Sequence, residues 1–115
     1  EKVSVKGGDI HPLFKYLTEE AAKLGVWISL DGIGWSVEEY VERLLFAKQS
    51  DFLDQVLISH DAGWYSPGEP NGGEFKGFTA LFDELIPLLR EKGFTQTELD
   101  LMLIKNPSKA FSIKL

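Results

Sequence analysis

Two aspartates stand where short apolar runs end, which makes them the best candidates in this sequence for chemistry. Asp31 follows residues 26–30, and Asp61 ends the segment that begins at residues 56–59. If both runs are parallel strands, their carboxyl ends meet at one edge of the sheet. We then expect the two carboxylates to be close enough to share a metal ion or to relay a proton. The alternative is that each aspartate only caps the loop after its strand.

A histidine directly precedes the second aspartate, so the two side chains should point to different faces of the strand. His60 and Asp61 are consecutive, and consecutive strand residues point to opposite faces. We predict that Asp61 faces the inside of the fold and that His60 faces a helix layer, as a hydrogen-bonded packing residue.

Three aromatic residues follow the same strand ends and predict the walls of a substrate pocket. Trp35 follows Asp31 across a glycine-containing turn, and Trp64 and Tyr65 begin a long Gly- and Pro-rich segment. Loops of that length are usually functional or disordered. We predict a substrate pocket lined by Asp31, Trp35, Trp64 and Tyr65. Packing of the aromatic rings on the scaffold is the alternative.

The elements that must hold these residues alternate between helical and strand patterns. Apolar side chains at helical spacing predict helices over residues 10–24, 36–48, 79–92 and 95–105. The two apolar runs between them are short enough to be strands buried on both faces. Such alternation predicts parallel strands joined by right-handed helical crossovers.

Two sequence patterns predict where helices begin. Ser36 with Glu39, and Thr95 with Glu98, both match the S/T-x-x-E capping box. In this arrangement each side chain accepts a hydrogen bond from a backbone N–H of the first turn. We therefore expect a capped helix start at both places.

Two prolines predict interruptions of the later helices. Pro87 lies inside the third helical pattern, where it should kink the helix or divide it. The pair Asn106 and Pro107 follows the fourth pattern and predicts its end.

The predicted sheet lacks strands. Only residues 3–5 could add a third strand to the two apolar runs, and central strands need neighbours on both edges. We expect something outside this sequence to complete the sheet. Exposed strand edges also predict that the chain could form homo-oligomers.

Composition narrows the functional classes. The 115 residues have a net charge of −6 and no cysteine, which argues against nucleic-acid binding and disulfides and makes the cytoplasm the default compartment. No apolar run is long enough for a membrane-spanning helix. We predict one unit over residues 1–115, less than half of the roughly 250 residues of a complete (β/α)8 barrel.

Several motifs together resemble the C-terminal end of the phosphotriesterase family of the amidohydrolase superfamily. They are VLISHDAGWY at residues 56–65, IPLLREKGF at residues 86–94, and the late Asn106-Pro107. The likeness covers roughly residues 20–115, and the combination is more specific than any one motif.

The resemblance implies the last β/α units of a TIM barrel that carries two divalent metals, usually zinc. In that family a bridging hydroxide hydrolyses esters, lactones or phosphotriesters. Asp61 matches the aspartate at the end of the eighth strand, which binds a metal and accepts the proton of the hydroxide. Asp31 matches an acidic position at the end of the seventh strand, and Gly32 replaces the histidine that follows this acid in several members.

The other metal ligands of the family have no counterpart in this sequence. They are a His-x-His pair, a carboxylated lysine and two further histidines on earlier strands. We therefore expect this chain by itself to retain no metal and to be inactive. The alternative, from a different functional class, is a self-contained β/α module that binds a partner through its long loop and has no catalytic function.

Overall fold

The computed structural model describes residues 11–114, so the predicted strand at residues 3–5 lies outside the described part. The helices and strands are α1 (Pro12–Lys23), β1 (Ile28–Leu30), α2 (Val37–Gln49), β2 (Val56–Ile58), α3 (Ile86–Glu91), α4 (Gln96–Asp100) and α5 (Asn106–Phe111). Short 3₁₀ turns occupy Leu53–Gln55 and Pro70–Gly72, and π-helical turns occupy Leu81–Leu85 and Leu101–Lys105.

The two strands pair in parallel. Ile28 is opposite Val56 and Leu30 is opposite Ile58, and α2 provides the crossover between the strands. The chain is therefore an α/β protein with a small parallel sheet, as the alternation of patterns predicts. Within residues 11–114 the sheet has these two strands and no others.

One face of the sheet is buried beneath the helices. Leu30 and Val56 are buried there, together with Tyr40, Leu44, Leu85, Leu89, Leu99 and Met102. The opposite face carries exposed Ser29 and Ser59. We predicted strands that are buried on both faces. Within residues 11–114 this is wrong, because no residue covers the face that carries Ser29 and Ser59.

Part of the apolar side of α1 is also uncovered, although Phe14 and Ala22 pack against the core. Leu13, Tyr16 and Leu17 are between 50% and 60% exposed. The helical spacing predicts the amphipathic helix, but no element in residues 11–114 packs against this side of it.

Each proline follows a π-helical turn. The N–H of Ile86, the residue directly before Pro87, donates to the carbonyl of Leu81. The N–H of Asn106 donates to Leu101 before Pro107 in the same way. A proline has no N–H to donate and clashes with the carbonyl four residues earlier, so a widened turn lets the helix continue. The helix therefore runs past Pro107 to the end of α5, and the predicted stop at Asn106-Pro107 is wrong.

The two predicted capping boxes have different outcomes. Thr95 and Glu98 form both reciprocal hydrogen bonds at the start of α4, which confirms that prediction. Ser36 precedes α2, but its side chain makes no capping hydrogen bond. Glu39 instead lies 3.7 Å from Arg43, so its carboxylate is directed along the helix. The capping box at Ser36 is wrong.

Across residues 11–114, no helix combines the length and the apolar character that crossing a membrane requires.

Candidate functional site

The carboxyl ends of the two strands form one edge, and we use the word rim for Asp31, Trp35, His60, Asp61 and Trp64 at that edge. The backbone ties it together. The N–H of Ser59 donates to the carbonyl of Leu30 at 3.0 Å, and the N–H of Ile33 donates to the carbonyl of Ser59 at 3.3 Å. Parallel pairing therefore carries Asp31 and Asp61 to the same edge, as predicted.

A buried tyrosine of α2 fixes the strand ends from the helix side. The hydroxyl of Tyr40 donates to the carbonyl of Leu30 and accepts a hydrogen bond from the N–H of Ser59 at 3.3 Å. Burial raises the pKa of Tyr40 above its ordinary value. The phenol therefore remains protonated and joins both strands just before the rim.

Serine hydroxyls hold the first rim carboxylate. One oxygen of Asp31 accepts hydrogen bonds from the hydroxyl of Ser29 at 3.1 Å and from that of Ser59 at 2.9 Å. All three side chains are exposed. Asp31 is thereby oriented on the face of the sheet that the helices do not cover.

Two indoles donate hydrogen bonds to Asp61, and one of them reaches its carboxylate. The N–H of Trp64 lies 3.1 Å from the backbone carbonyl of Asp61 and 3.2 Å from its Oδ1. The N–H of Trp35 donates to the same carbonyl at 3.4 Å. The Oδ2 atom of Asp61 accepts no hydrogen bond from residues 11–114, so this exposed carboxylate has acceptor capacity for a ligand.

The backbone of Asp61 is strained. Its φ is +48°, in the left-handed region that costs a residue with a side chain about 1–2 kcal/mol. Strain of this kind is often found at functional sites. Asp51, at the other end of β2, is likewise left-handed, with φ of +60°.

His60 faces the helix layer, which confirms the prediction. Its Nε2 accepts a hydrogen bond from the N–H of Leu81 at 3.1 Å, and its ring meets the ring of Phe78 edge to face. The imidazole therefore links the end of β2 to the start of the third helical segment.

The long loop folds back on itself beside Asp61. The N–H of Gly63 donates to the carbonyl of Lys76 at 2.9 Å, which closes the base of the loop. Gly63 has φ of +79°, and a Cβ there would lie 2.6 Å from the ring of Phe78. Only glycine therefore allows the loop to pass so close to this ring.

Tyr65 belongs to the packing of the loop. A Cβ at Gly72 would lie 2.1 Å from the ring of Tyr65, and Ser66 donates to the Gly72 carbonyl at 2.7 Å. Of the predicted pocket residues, the structure brings Trp35 and Trp64 to Asp61 and places Asp31 nearby, while Tyr65 lies against the loop.

Lys76 is a rim neighbour that the sequence reading missed. Its ammonium lies 4.1 Å from the centroid of the Trp35 ring. No local pattern around Lys76 indicates this contact, because it depends on the loop folding back.

The described residues hold few metal-binding side chains close together. No group of three or more His, Cys, Asp or Glu side chains between residues 11 and 114 could hold a metal ion. The rim offers carboxylate oxygens, and His60 is turned away. The described residues therefore do not fit a two-metal centre by themselves.

With this geometry in view, the chain was compared with known proteins. The profile of the phosphotriesterase family matches residues 3–111. This match extends the resemblance seen at residues 20–115 nearly to the amino terminus.

The similar curated proteins are much longer than this chain. The phosphotriesterase homology protein of Escherichia coli is 34% identical over 92 residues, which are 76% of this chain and 31% of that protein. The N-acetyltaurine hydrolase of Danio rerio is 28% identical over 109 residues, again 31% of its length. The chain thus spans about a third of each of these relatives.

A solved structure is similar as well. The crystal structure of the Escherichia coli phosphotriesterase homology protein, complexed with phosphate in its active site, superposes with a TM-score of 0.69. The sequences are 30% identical, and the match covers 82% of this chain and 33% of that one.

Proposed function

The chain belongs to the phosphotriesterase family, and from this membership we propose that it is the C-terminal part of a hydrolase whose catalytic edge includes Asp61. The observation that carries the proposal is the parallel pairing of β1 and β2, which sets two carboxylates at one strand edge. Active sites of β/α barrels are built at this edge. Relatives named as hydrolases support the same class of activity.

Asp61 is the proposed catalytic residue and the proposed metal ligand. Its carboxylate is exposed, and indole N–H groups orient the residue on both sides. A carboxylate held in this way can accept a proton from the attacking water or serve as one ligand of a divalent metal. In the proposal, Asp31, Trp35 and Trp64 line the substrate pocket, and Tyr65 contributes by packing the loop beside it.

The rest of the site is proposed to come from residues outside the described chain. The outer edges of both strands and one face of the sheet are uncovered by residues 11–114, which is consistent with a larger barrel. The family is generally metal-dependent, and zinc is the metal we propose. In such enzymes a bound metal lowers the pKa of its water. Since residues 11–114 lack a three-ligand group, we propose that this chain alone is inactive.

Two classes of scissile bond are proposed. Membership in the phosphotriesterase family favours an ester, a lactone or a phosphotriester. An amide is the second candidate, because relatives are named N-acetyltaurine hydrolases. A substrate of that second type is an N-acylated amino sulfonate, which carries a negative charge close to the amide.

The test compares this chain with the longest protein in which it occurs, both supplied with zinc. Hydrolysis of an aryl ester, a lactone, an aryl phosphotriester and N-acetyltaurine is measured for each. We expect turnover by the longer protein alone. Asp61→Asn should lower kcat at least about 100-fold, the usual contribution of a general base.

Asp51→Asn is the matched control, because Asp51 is also a left-handed aspartate but lies at the other end of β2. Its activity should equal that of the unchanged protein. A longer protein that binds no metal and hydrolyses none of the substrates would contradict the proposal. Monomeric, cooperatively unfolding behaviour of the chain alone would then favour the binding module.

A further inference from the structure

We propose that Lys76, stacked on Trp35 beside Asp61, recognises an anionic group of the substrate, an inference that rests on the proposed hydrolase function of the same rim. The ligand class is a small molecule that carries a sulfonate, phosphate or carboxylate next to the bond to be cleaved. Lys76 would determine specificity, and it has no part in the bond-breaking step.

The position of the ammonium is coupled to Asp61 by two contacts. It lies 4.1 Å from the Trp35 ring centroid, and the indole N–H of Trp35 donates to the Asp61 carbonyl at 3.4 Å. The backbone of Lys76 is held too, since its carbonyl accepts the N–H of Gly63 at 2.9 Å. A lysine fixed at both ends has less rotamer freedom to lose when a ligand binds.

The charge of Lys76 is not neutralised within residues 11–114. The three ion pairs found there join Lys23 with Glu20, Arg43 with Glu39, and Lys48 with Glu98. Lys76 has its cation–π contact but no carboxylate within ion-pair distance in the described chain. An aromatic face attracts a cation without cancelling its charge, so the ammonium can still pair with an anion.

The charges of this chain favour such a cation for an anionic substrate. The chain has a net charge of −6, and the rim itself carries Asp31 and Asp61, so an approaching anion is repelled. Lys76 is the only lysine or arginine between residues 61 and 80. It is therefore the residue of this loop that can offset the repulsion locally.

The experiment compares two ligands that differ in charge. The longer protein, without added zinc so that the ligands are not hydrolysed, is titrated with N-acetyltaurine and with N-acetylethanolamine, its neutral counterpart, while tryptophan fluorescence is recorded. The ratio of the two Kd values measures the preference for the anion. We expect Lys76→Met to lower this preference about tenfold, as the loss of a charged hydrogen bond would. Lys76→Arg, which keeps both the charge and the stacking, should restore it.

Lys92→Met is the control, because Lys92 is exposed beyond α3 and the same charge is removed far from the rim. An unchanged ratio in Lys76→Met, or an equal loss of affinity for both ligands, would overturn the inference. So would a protein that binds neither ligand. The hydrolase proposal is judged separately, by turnover of the uncharged aryl ester, which does not need an anion-binding group.

Discussion

At the amino end of β2, a buried side chain satisfies backbone carbonyls, whereas at the carboxyl end an exposed side chain lies on a strained backbone. Asn106 is buried, and its Nδ2 donates to the carbonyls of Leu53 and Val56 at 2.9 and 2.8 Å. Asp61 is exposed with φ of +48°. We use the word base for the region at the amino end of β2 that includes Asn106, Lys48 and Glu98.

The helix starts show the same difference. The Thr95 and Glu98 pattern forms its capping box at the base, where Lys48 also lies 3.1 Å from Glu98. The Ser36 pattern follows the rim and forms none. The capping hydrogen bonds are formed at the base, whereas beside the rim the Ser36 side chain makes none and Oδ2 of Asp61 accepts none from residues 11–114. The difference indicates that the base stabilises the fold, while the rim keeps polar groups available for a ligand.

The largest expected effect is at Asn106. Asn106→Ala removes both donors and leaves buried carbonyl groups with fewer partners, which should cost about 2–4 kcal/mol of unfolding free energy. Urea denaturation followed by circular dichroism measures this. Gln49→Ala, an exposed amide on α2, should change stability by less than about 0.5 kcal/mol. Equal effects at the two positions would show that the buried hydrogen bonds of Asn106 do not stabilise the base.

Tyr40→Phe should lower the free energy of unfolding by about 1 kcal/mol, because it deletes the hydroxyl that joins Leu30 and Ser59. Urea denaturation at neutral pH measures this loss.

Tyr40→Phe should also change how stability responds to alkali. Burial raises the pKa of Tyr40, so the unfolded chain releases that proton first and stability falls as the pH rises above about 10. The variant should lose less stability than the unchanged chain between pH 9 and 11 in urea titrations.

Exposed Tyr65 provides the control for the alkaline effect. Tyr65→Phe should keep the full alkaline loss of stability. If Tyr40→Phe and Tyr65→Phe gave the same pH profile, Tyr40 would not be the buried link described above.

The two capping patterns give the next comparison. Thr95→Ala should lower the free energy of unfolding by about 1 kcal/mol, whereas Ser36→Ala should change it by less than about 0.3 kcal/mol.

The cap at Thr95 should also depend on pH. The hydrogen bond from the Thr95 backbone N–H lowers the pKa of Glu98, and the nearby Lys48 ammonium lowers it further. The stability that the Glu98 carboxylate contributes to this cap should therefore be present at neutral pH and lost as acid protonates Glu98, while the hydrogen bond accepted by the Thr95 hydroxyl remains. Thermal melts at pH 7 and pH 3 test both points, and a large Ser36 effect would contradict them.

The smallest expected effect compares the two left-handed aspartates. Asp61→Gly and Asp51→Gly both relieve backbone strain, and each should raise stability by about 0.5 kcal/mol. Only Asp61→Gly should abolish hydrolysis in the longer protein. A stability loss at Asp61 in thermal melts would show that its side chain holds the fold and is not kept for function.

Much of the local structure was predictable from the sequence. Apolar spacing predicts the helices, and the two apolar runs predict parallel strands whose ends carry Asp31 and Asp61. The alternation of strand faces predicts that His60 turns to the helices. The helix, strand and face assignments succeed because they depend on neighbours within a few residues, and the parallel pairing follows from the order of helices and strands along the chain.

Other features were decided by contacts between distant segments. Lys76 reaches Trp35 only because the loop closes on Gly63. Asn106 resembles a helix stop in sequence, yet a π-helical turn and two carbonyls some fifty residues earlier make it a buried link. The same capping motif forms at Thr95 but not at Ser36, since in the second case Arg43 attracts the glutamate.

The sequence by itself determined which segments are helical or extended and which acids follow the strands, because periodicity and chain order are local properties. The tertiary structure alone decided which of those polar groups are buried and satisfied and which remain exposed at the rim. Burial and partnership depend on residues far apart in the chain, whose approach local propensity does not encode.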